Sequence, residues 1–355
     1  MKRAVWLPNW IGDAVMATPA LNWLRETNPA AEVVAICRRP VDQVLAGHPA
    51  IDRFLVDQSG KPASIRERLT FIQALRKEGF DEIILFTNSL RTAAVARLAG
   101  IPVRIGFARD GRGWLLNRTL KPHAKNIPNP VIDEYNRLAA AATGKPVPES
   151  LAHRPTLTTS SEEENTWEDV ASRQNLVEGQ YVVFNSGGAF GAAKHWPLSS
   201  FVKLAKKIVT AQEMPVVMIC GPAEQDLARQ FEKEANHPLI SSIADEEISI
   251  GLSKCMVRHA GWMVTTDSGP RHFAHAFEVP ALSIYGPTHI AWSDTHYELA
   301  RACQLPVDCG PCQQRTCPLK HHRCMQDLTA DKVYQEFLAL QASVMQHLNH
   351  QRDVA

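Results

Sequence analysis

The sequence predicts an α/β protein of two halves, each a parallel sheet covered by helices on both faces. Three observations predict it. At 355 residues the chain exceeds the size at which one hydrophobic core keeps growing, so two domains of ordinary size are the default. Short apolar runs alternate with segments of helical periodicity, the pattern of β-α-β units. The alternation pauses between Lys145 and Thr159, where Pro146, Pro148 and Pro155 sit among Thr and Ser, and then restarts. This gives a first domain over 1–158, a second over 159–330, and a helix within 331–355 that is expected to pack back on the first domain.

Element by element, Ala4 to Leu7 is an apolar strand, Pro8-Asn9-Trp10-Ile11-Gly12-Asp13 is a turn, and Val15, Ala17, Leu21 and Leu24 recur at helical spacing. A second strand follows from Glu32 to Cys37. A third, Glu82 to Phe86, leads through Thr87-Asn88-Ser89 into a helix containing Ala93, Ala96 and Leu98. After the boundary, Ser161 with Glu162, Glu163 and Glu164 marks a capped helix start, the acids lying near the positive end of the dipole. Four strands then each end in a small-residue or glycine-containing turn. Tyr181 to Phe184 enters Asn185-Ser186-Gly187-Gly188, and Val216 to Cys220 enters Gly221-Pro222. Trp262 to Thr265 enters Thr266-Asp267-Ser268-Gly269, and Ala281 to Tyr285 enters Gly286-Pro287-Thr288. In open α/β sheets that carboxyl edge is where ligands bind. Asp331 to His350 reads as the last helix.

Composition removes several function classes. Hydrophobic residues make up 45% and charged residues 21% of the chain, the balance of a globular protein. With 38 Lys+Arg against 37 Asp+Glu, no excess of positive charge is present to hold a polyanion, and nucleic acid is not an expected partner. Lys2-Arg3 and the apolar residues after it imitate a signal peptide only briefly, because Pro8, Asn9 and Asp13 interrupt the run. No stretch approaches the roughly 20 apolar residues that a membrane span requires. Membrane contact is therefore expected to be peripheral, in a cytoplasmic protein.

The chemistry concentrates in the turns. In Ser186-Gly187-Gly188 the backbone N–H groups can face phosphate oxygens, with Lys194 downstream to neutralise charge. Thr266-Asp267-Ser268-Gly269 and His272 add a second polar turn on the same edge, and together the two suit a diphosphate. Steric need alone also produces such glycine turns, and Asp267 is open to a second reading as a helix N-cap. Asp13 shares that ambiguity in the first half: it is either a cap or a general base able to take a proton from a hydroxyl. Glu224 and its neighbour Gln225 follow Gly221-Pro222, and Asn88, Ser89 and Arg91 follow the third strand.

Cys309, Cys312, Cys317 and Cys324 lie within sixteen residues, with His321 and His322 among them. That density suits tetrahedral zinc. Only Cys309 and Cys312 form a C-x-x-C pair, however, so a reduced, metal-free cluster is the expectation and zinc the alternative. Cys37, Cys220, Cys255 and Cys303 read as buried small hydrophobes.

Several of these residues stand in ordered motifs. Trp10-Ile11-Gly12-Asp13 with Pro19, Phe190-Gly191-Ala192-Ala193-Lys194-His195-Trp196-Pro197, Asp267-Ser268-Gly269 with His272, and Tyr285-Gly286-Pro287-Thr288 together resemble the ADP-heptose lipopolysaccharide heptosyltransferases of glycosyltransferase family 9. The resemblance covers nearly the whole chain. It implies a GT-B fold, two Rossmann-like domains facing a central cleft, and inverting transfer from ADP-heptose to a lipopolysaccharide inner-core sugar, without cofactor or catalytic metal. It implies Asp13 as the base, and Lys194, Asp267, Ser268, Gly269 and His272 at the ADP. Under the resemblance Glu224, or Gln225, holds the ribose and Asn88, Ser89 and Arg91 bind the anionic acceptor, with a surface role as the alternative for Glu224 and for Arg91. Departures are Ser186 and Ala192 where proline is common, His195 where Arg is frequent, and Thr266 where Asn is usual. These spare the class and leave the acceptor open. A monomer is expected. Two rivals stand beside this reading: a nucleotide-sugar epimerase of the same architecture, and a nucleotide-binding protein without catalysis.

Overall fold

The computed structural model describes the backbone of residues 1–59, 63–124, 127–187 and 191–354, and side chains up to 349. The chain forms two compact units, 1–158 with 291–296 and 159–290 with 297–355. The excursion of Ala291–His296 into the first unit interrupts the second stretch, which the sequence had offered as continuous.

The first unit carries strands β1 (Lys2–Trp6), β2 (Glu32–Cys37), β3 (Arg53–Val56), β4 (Glu82–Leu85), β5 (Val103–Phe107) and β6 (Arg118–Leu120), in the sheet order β3-β2-β1-β4-β5-β6. All pairs are parallel, with Arg3 opposite both Val33 and Glu82. Ala4, Trp6, Val34, Ile36, Ile83 and Leu85 alternate along their strands and share one core cluster with Ala93 and Ala96. Val5, Val33, Ala35 and Ile84, on the other face, are buried as well. Burial on both faces explains why these strands read as continuous apolar runs instead of alternating ones. Arg3 pairs with Glu82 inside the sheet and also donates to the Leu24 carbonyl at 3.1 Å.

The second unit repeats the plan with β7 (Val182–Asn185), β8 (Val216–Ile219), β9 (Ile240–Ser242), β10 (Trp262–Thr266), β11 (Ala281–Tyr285) and β12 (Ala300–Gln304). Its order, β12-β11-β10-β7-β8-β9, is the same topology read from the other side, again all parallel. Each sheet therefore has a switch point where the strand order reverses, between β1 and β4 in one unit and between β7 and β10 in the other. Loops leaving the carboxyl ends of those strands diverge there and open a crevice.

One expectation is corrected. The helix entering the second unit spans Ser161–Gln174 and is capped by Ser160, one residue earlier than expected, in a reciprocal box with Glu163. The last helix, Ala330–Val354, packs on β11, β12 and the helix Leu198–Gln212 within the second unit. The cause is visible in its spacing: Val333, Phe337, Leu340 and Val344 form one buried stripe, with Phe337 set edge-on to Trp262 at 5.8 Å. Among the described residues no helix is long and apolar enough to cross a membrane.

Candidate active site

In the second unit the crevice is built at the ends of β7 and β10. Asn185, the last residue of β7, donates to Thr265 Oγ1 at 2.9 Å and to Ser268 Oγ at 2.6 Å, tying the two switch-point loops together. Ser186 is buried, its hydroxyl directed at the Met218 sulfur 3.8 Å away. The Gly187 carbonyl accepts from Thr266 Oγ1 at 2.6 Å. A Cβ at Gly187 would lie 2.2 Å from Glu224 Oε1, so only glycine leaves room for that carboxylate. Glu224 Oε2 in turn accepts from the Gly221 amide at 3.0 Å. Gln225 instead donates to the Ala244 carbonyl at 3.1 Å, so of the two candidates Glu224 is the one brought to the glycine turn. Gly188 and Phe190 lie outside the described residues.

Lys194 ends a short 3-10 turn, Ala192–Lys194, and is buried. Its ammonium donates to the Asp267 carbonyl at 2.9 Å and to Asp267 Oδ2 at 2.5 Å, and Thr288 donates to the same carboxylate oxygen at 2.6 Å. Burial alone would raise the Asp267 carboxyl, yet the charges of Lys194 and Arg271 outweigh it and hold the group below the usual carboxylate range. Asp267 does not cap the following helix, Arg271–Ala276, whose cap position is Pro270. The expected pairing of Lys194 with a diphosphate thus starts from an ammonium that already serves Asp267. Ser268 and Gly269, partly exposed, continue the turn.

His272 is fully enclosed. Burial first, then the Arg271 and Lys194 charges, push its imidazole well below the ordinary value, so it is neutral near pH 7. Its Nε2 faces Arg271 Nη2 at 3.4 Å, while Nδ1 has no hydrogen-bond partner among the described residues. Arg271 also binds the Tyr285 hydroxyl and lies over the Tyr285 ring, 5.4 Å from its centre.

In the first unit Asp13 is the third residue of the helix Ile11–Met16, partly exposed just beyond β1. The cap position belongs to Trp10, without a side-chain cap bond, so capping does not account for Asp13. Its charge reaches Tyr135 on the helix Val131–Thr143. That phenol is raised well above its ordinary range by burial first, and then by Asp13 and Glu134. Tyr135 stacks on Phe86, 5.1 Å between ring centres.

The loop after β4 is more tightly engaged than its sequence indicates. Arg112, fully buried, donates to the Phe107 carbonyl at 2.9 Å, the Thr87 carbonyl at 2.5 Å and Asn88 Oδ1 at 3.1 Å. Burial lowers this guanidinium to about 10. Ser89 caps the helix Leu90–Leu98 by accepting from the Arg91 amide at 3.1 Å. Arg91 donates to Ser59 Oγ at 2.9 Å, pairs with Asp57 and lies over the Trp6 ring, 5.5 Å from its centre. Asn88 alone of the three is exposed.

Residues that sequence reasoning passed over are Asn185, Thr265, Arg271 and Tyr135. Asn185 had a signal, a polar residue closing an apolar strand. Tyr135 had none, since it reaches Asp13 from a helix far along the chain.

These two loop systems find their context in known proteins. The model of glycosyltransferase family 9 (heptosyltransferase) matches residues 68–323. The chain belongs to that family. As a family 9 glycosyltransferase it is similar to lipooligosaccharide heptosyltransferase 2 of Campylobacter jejuni, 26% identical over 96% of this chain and 99% of that one. It is equally similar to lipopolysaccharide heptosyltransferase 2 of Escherichia coli, 26% identical over 96% of this chain and 98% of the relative. The solved ADP-heptose lps heptosyltransferase II of E. coli has the same fold, with a TM-score of 0.77 at 23% identity over 98% of this chain and 100% of that one. The architecture is GT-B, two Rossmann-like sheets in one chain. Membership of a transferase family sets the epimerase reading aside.

Proposed function

We propose that this glycosyltransferase moves heptose from ADP-L-glycero-D-manno-heptose to an inner-core sugar of lipopolysaccharide, inverting the anomeric carbon. The observation that carries the reading is the β7/β10 crevice. There the Gly187 turn, Lys194, Ser268, Gly269 and the Nδ1 of His272, which has no hydrogen-bond partner among the described residues, gather donors and positive charge on one edge. Glu224 sits beside the same turn, where a ribose diol can donate to its carboxylate.

The reaction is a single displacement. The acceptor oxygen attacks the anomeric carbon as Asp13 removes its proton, and the bond from that carbon to the diphosphate oxygen breaks. ADP leaves with its developing charge met by Lys194 and by backbone N–H groups of the two turns. Asp267 positions Lys194 in this scheme, and Thr288 positions Asp267. Asn88 and Arg91 offer the first unit's polar edge to the anionic acceptor, Ser89 serving mainly through its cap. The acceptor is lipid-linked, so the reading places a monomeric cytoplasmic enzyme at the inner membrane, in peripheral contact only.

The test is incubation of purified protein with ADP-heptose and truncated lipopolysaccharides, followed by the product's mass. Gain of one heptose unit with release of ADP is expected. Donor isomerisation without acceptor, or donor binding without turnover, would overturn the proposal.

A further inference from the structure

Outside the proposed active site, the most concentrated ligating chemistry lies in the loop between β12 and the last helix. Cys309, Cys312, Cys317 and Cys324 line one cavity together with His321 and His322, and its walls are completed by Ala193, Pro287 and Val307. All four thiols are free. The irregular spacing that argued against a metal is taken up by the loop's own turns. The Gly310 amide bonds the Val307 carbonyl at 2.9 Å, the Lys320 amide bonds the Cys317 carbonyl at 3.2 Å, and Cys324 arrives on the helix Arg323–Gln326.

The backbone amides of His322, Leu319, Lys320 and His321 are directed at the Cys317 sulfur, and Cys324 neighbours Cys312, Cys309 and Cys317. Cys309 Sγ also contacts His321 Nε2 at 4.0 Å, a neighbour outside the proposed ligand set.

We propose that Cys309, Cys312, Cys317 and Cys324 bind one structural divalent cation of the thiolate-preferring class, zinc. The other grouping of ligating side chains, Asp133 with His153 and His296, is explained by an ordinary hydrogen bond of 3.0 Å and a ring contact of 4.2 Å. The cysteine loop is bound to the catalytic loops. Its Arg315 carbonyl accepts from the Ala193 amide at 3.1 Å, next to Lys194, and its Gln313 amide donates to the Pro287 carbonyl at 2.8 Å, next to Thr288. The Cys324 sulfur also lies against Gly286. A metal here clamps the two segments that bring Lys194 and Thr288 to Asp267, without touching the substrate.

The experiment is elemental analysis of the full chain purified without chelator, with cobalt(II) substitution as an optical probe. The site predicts about one zinc per chain, sulfur-to-cobalt charge-transfer bands in the near ultraviolet, and loss of both in the Cys312→Ser/Cys317→Ser double variant but not in His321→Ala. Chelation should lower the melting temperature. Metal-free protein that takes up no cobalt would overturn the proposal, as would an intact mass showing disulfides among the four cysteines. Both of these measurements use the wild-type chain and stand even where the double variant does not fold. Retention of stoichiometric zinc by the double variant would overturn the ligand set.

Discussion

Replacing Lys194 with alanine removes the ammonium from a site where both partners of the ion pair keep only 10% of their side-chain surface. The Asp267 carboxylate would then remain buried with the Thr288 hydroxyl and the nearby Arg271 charge. Breaking a buried pair in this way costs about 3 to 5 kcal/mol, and the remaining partners favour the lower end. At about 3 kcal/mol the second unit should melt roughly 6 to 12 °C lower. The pH profile changes too. In the wild type the folded Asp267 carboxyl is held below its unfolded value of about 3.9. Its contribution to stability is therefore complete above that value and is lost as pH falls through the folded one. Without Lys194 the first force holding it down is gone, so this acid-range climb in stability should flatten. Binding separates the roles: loss of a charge-assisted bond of about 1.5 to 3 kcal/mol should weaken ADP roughly 10- to 150-fold and leave adenosine nearly unchanged. Calorimetric titration with both ligands, at a temperature where the variant is folded, reads this directly. Equal losses for ADP and adenosine would refute the placement of Lys194 at the diphosphate.

Gly187→Ala puts a methyl carbon where Glu224 now lies. It should cost little stability, because a side-chain end can move, but it should weaken ADP-heptose as much as Glu224→Ala does, and the double variant should be no worse than either single one. Gly191→Ala meets the Arg315 carbonyl oxygen at 2.5 Å from a residue at φ +150°. A loss of about 1 to 3 kcal/mol in denaturant unfolding, with weaker ADP binding, is expected because backbone cannot step aside. Ser160→Ala should cost about 1 kcal/mol of stability without change in turnover, since it removes the cap of the helix Ser161–Gln174 and touches no catalytic loop.

The central strands of both sheets were legible because burial on two faces leaves an unbroken apolar run, as in Val33 to Cys37 or Val216 to Ile219. The strands that escaped sequence reasoning are mostly at sheet edges. Arg53–Val56 is half exposed along its whole length, and Arg118–Leu120 is three residues with two of them exposed, so neither carries such a run. Asp267, Lys194 and Thr288 were each visible as residues in polar turns. Their shared network was not, because Lys194 and Asp267 are 73 positions apart and meet only through the parallel order of β7 and β10. Arg91 shows another limit of local sequence: its guanidinium donates to Ser59 and pairs with Asp57, buried residues that local sequence could not connect to it.

The account rests on Asp13 as the group that accepts the acceptor's proton, and one comparison tests it: turnover of Asp13→Asn against wild type, with donor affinity measured on the same samples. The substitution keeps the shape of the side chain on the helix Ile11–Met16 and removes only its basicity. Heptose transfer is predicted to fall by roughly 10²- to 10⁴-fold, the usual contribution of a positioned base, with ADP-heptose binding within a few-fold of wild type. Transfer at a near-normal rate would contradict the mechanism and leave Asp13 as a residue of the first helical turn alone.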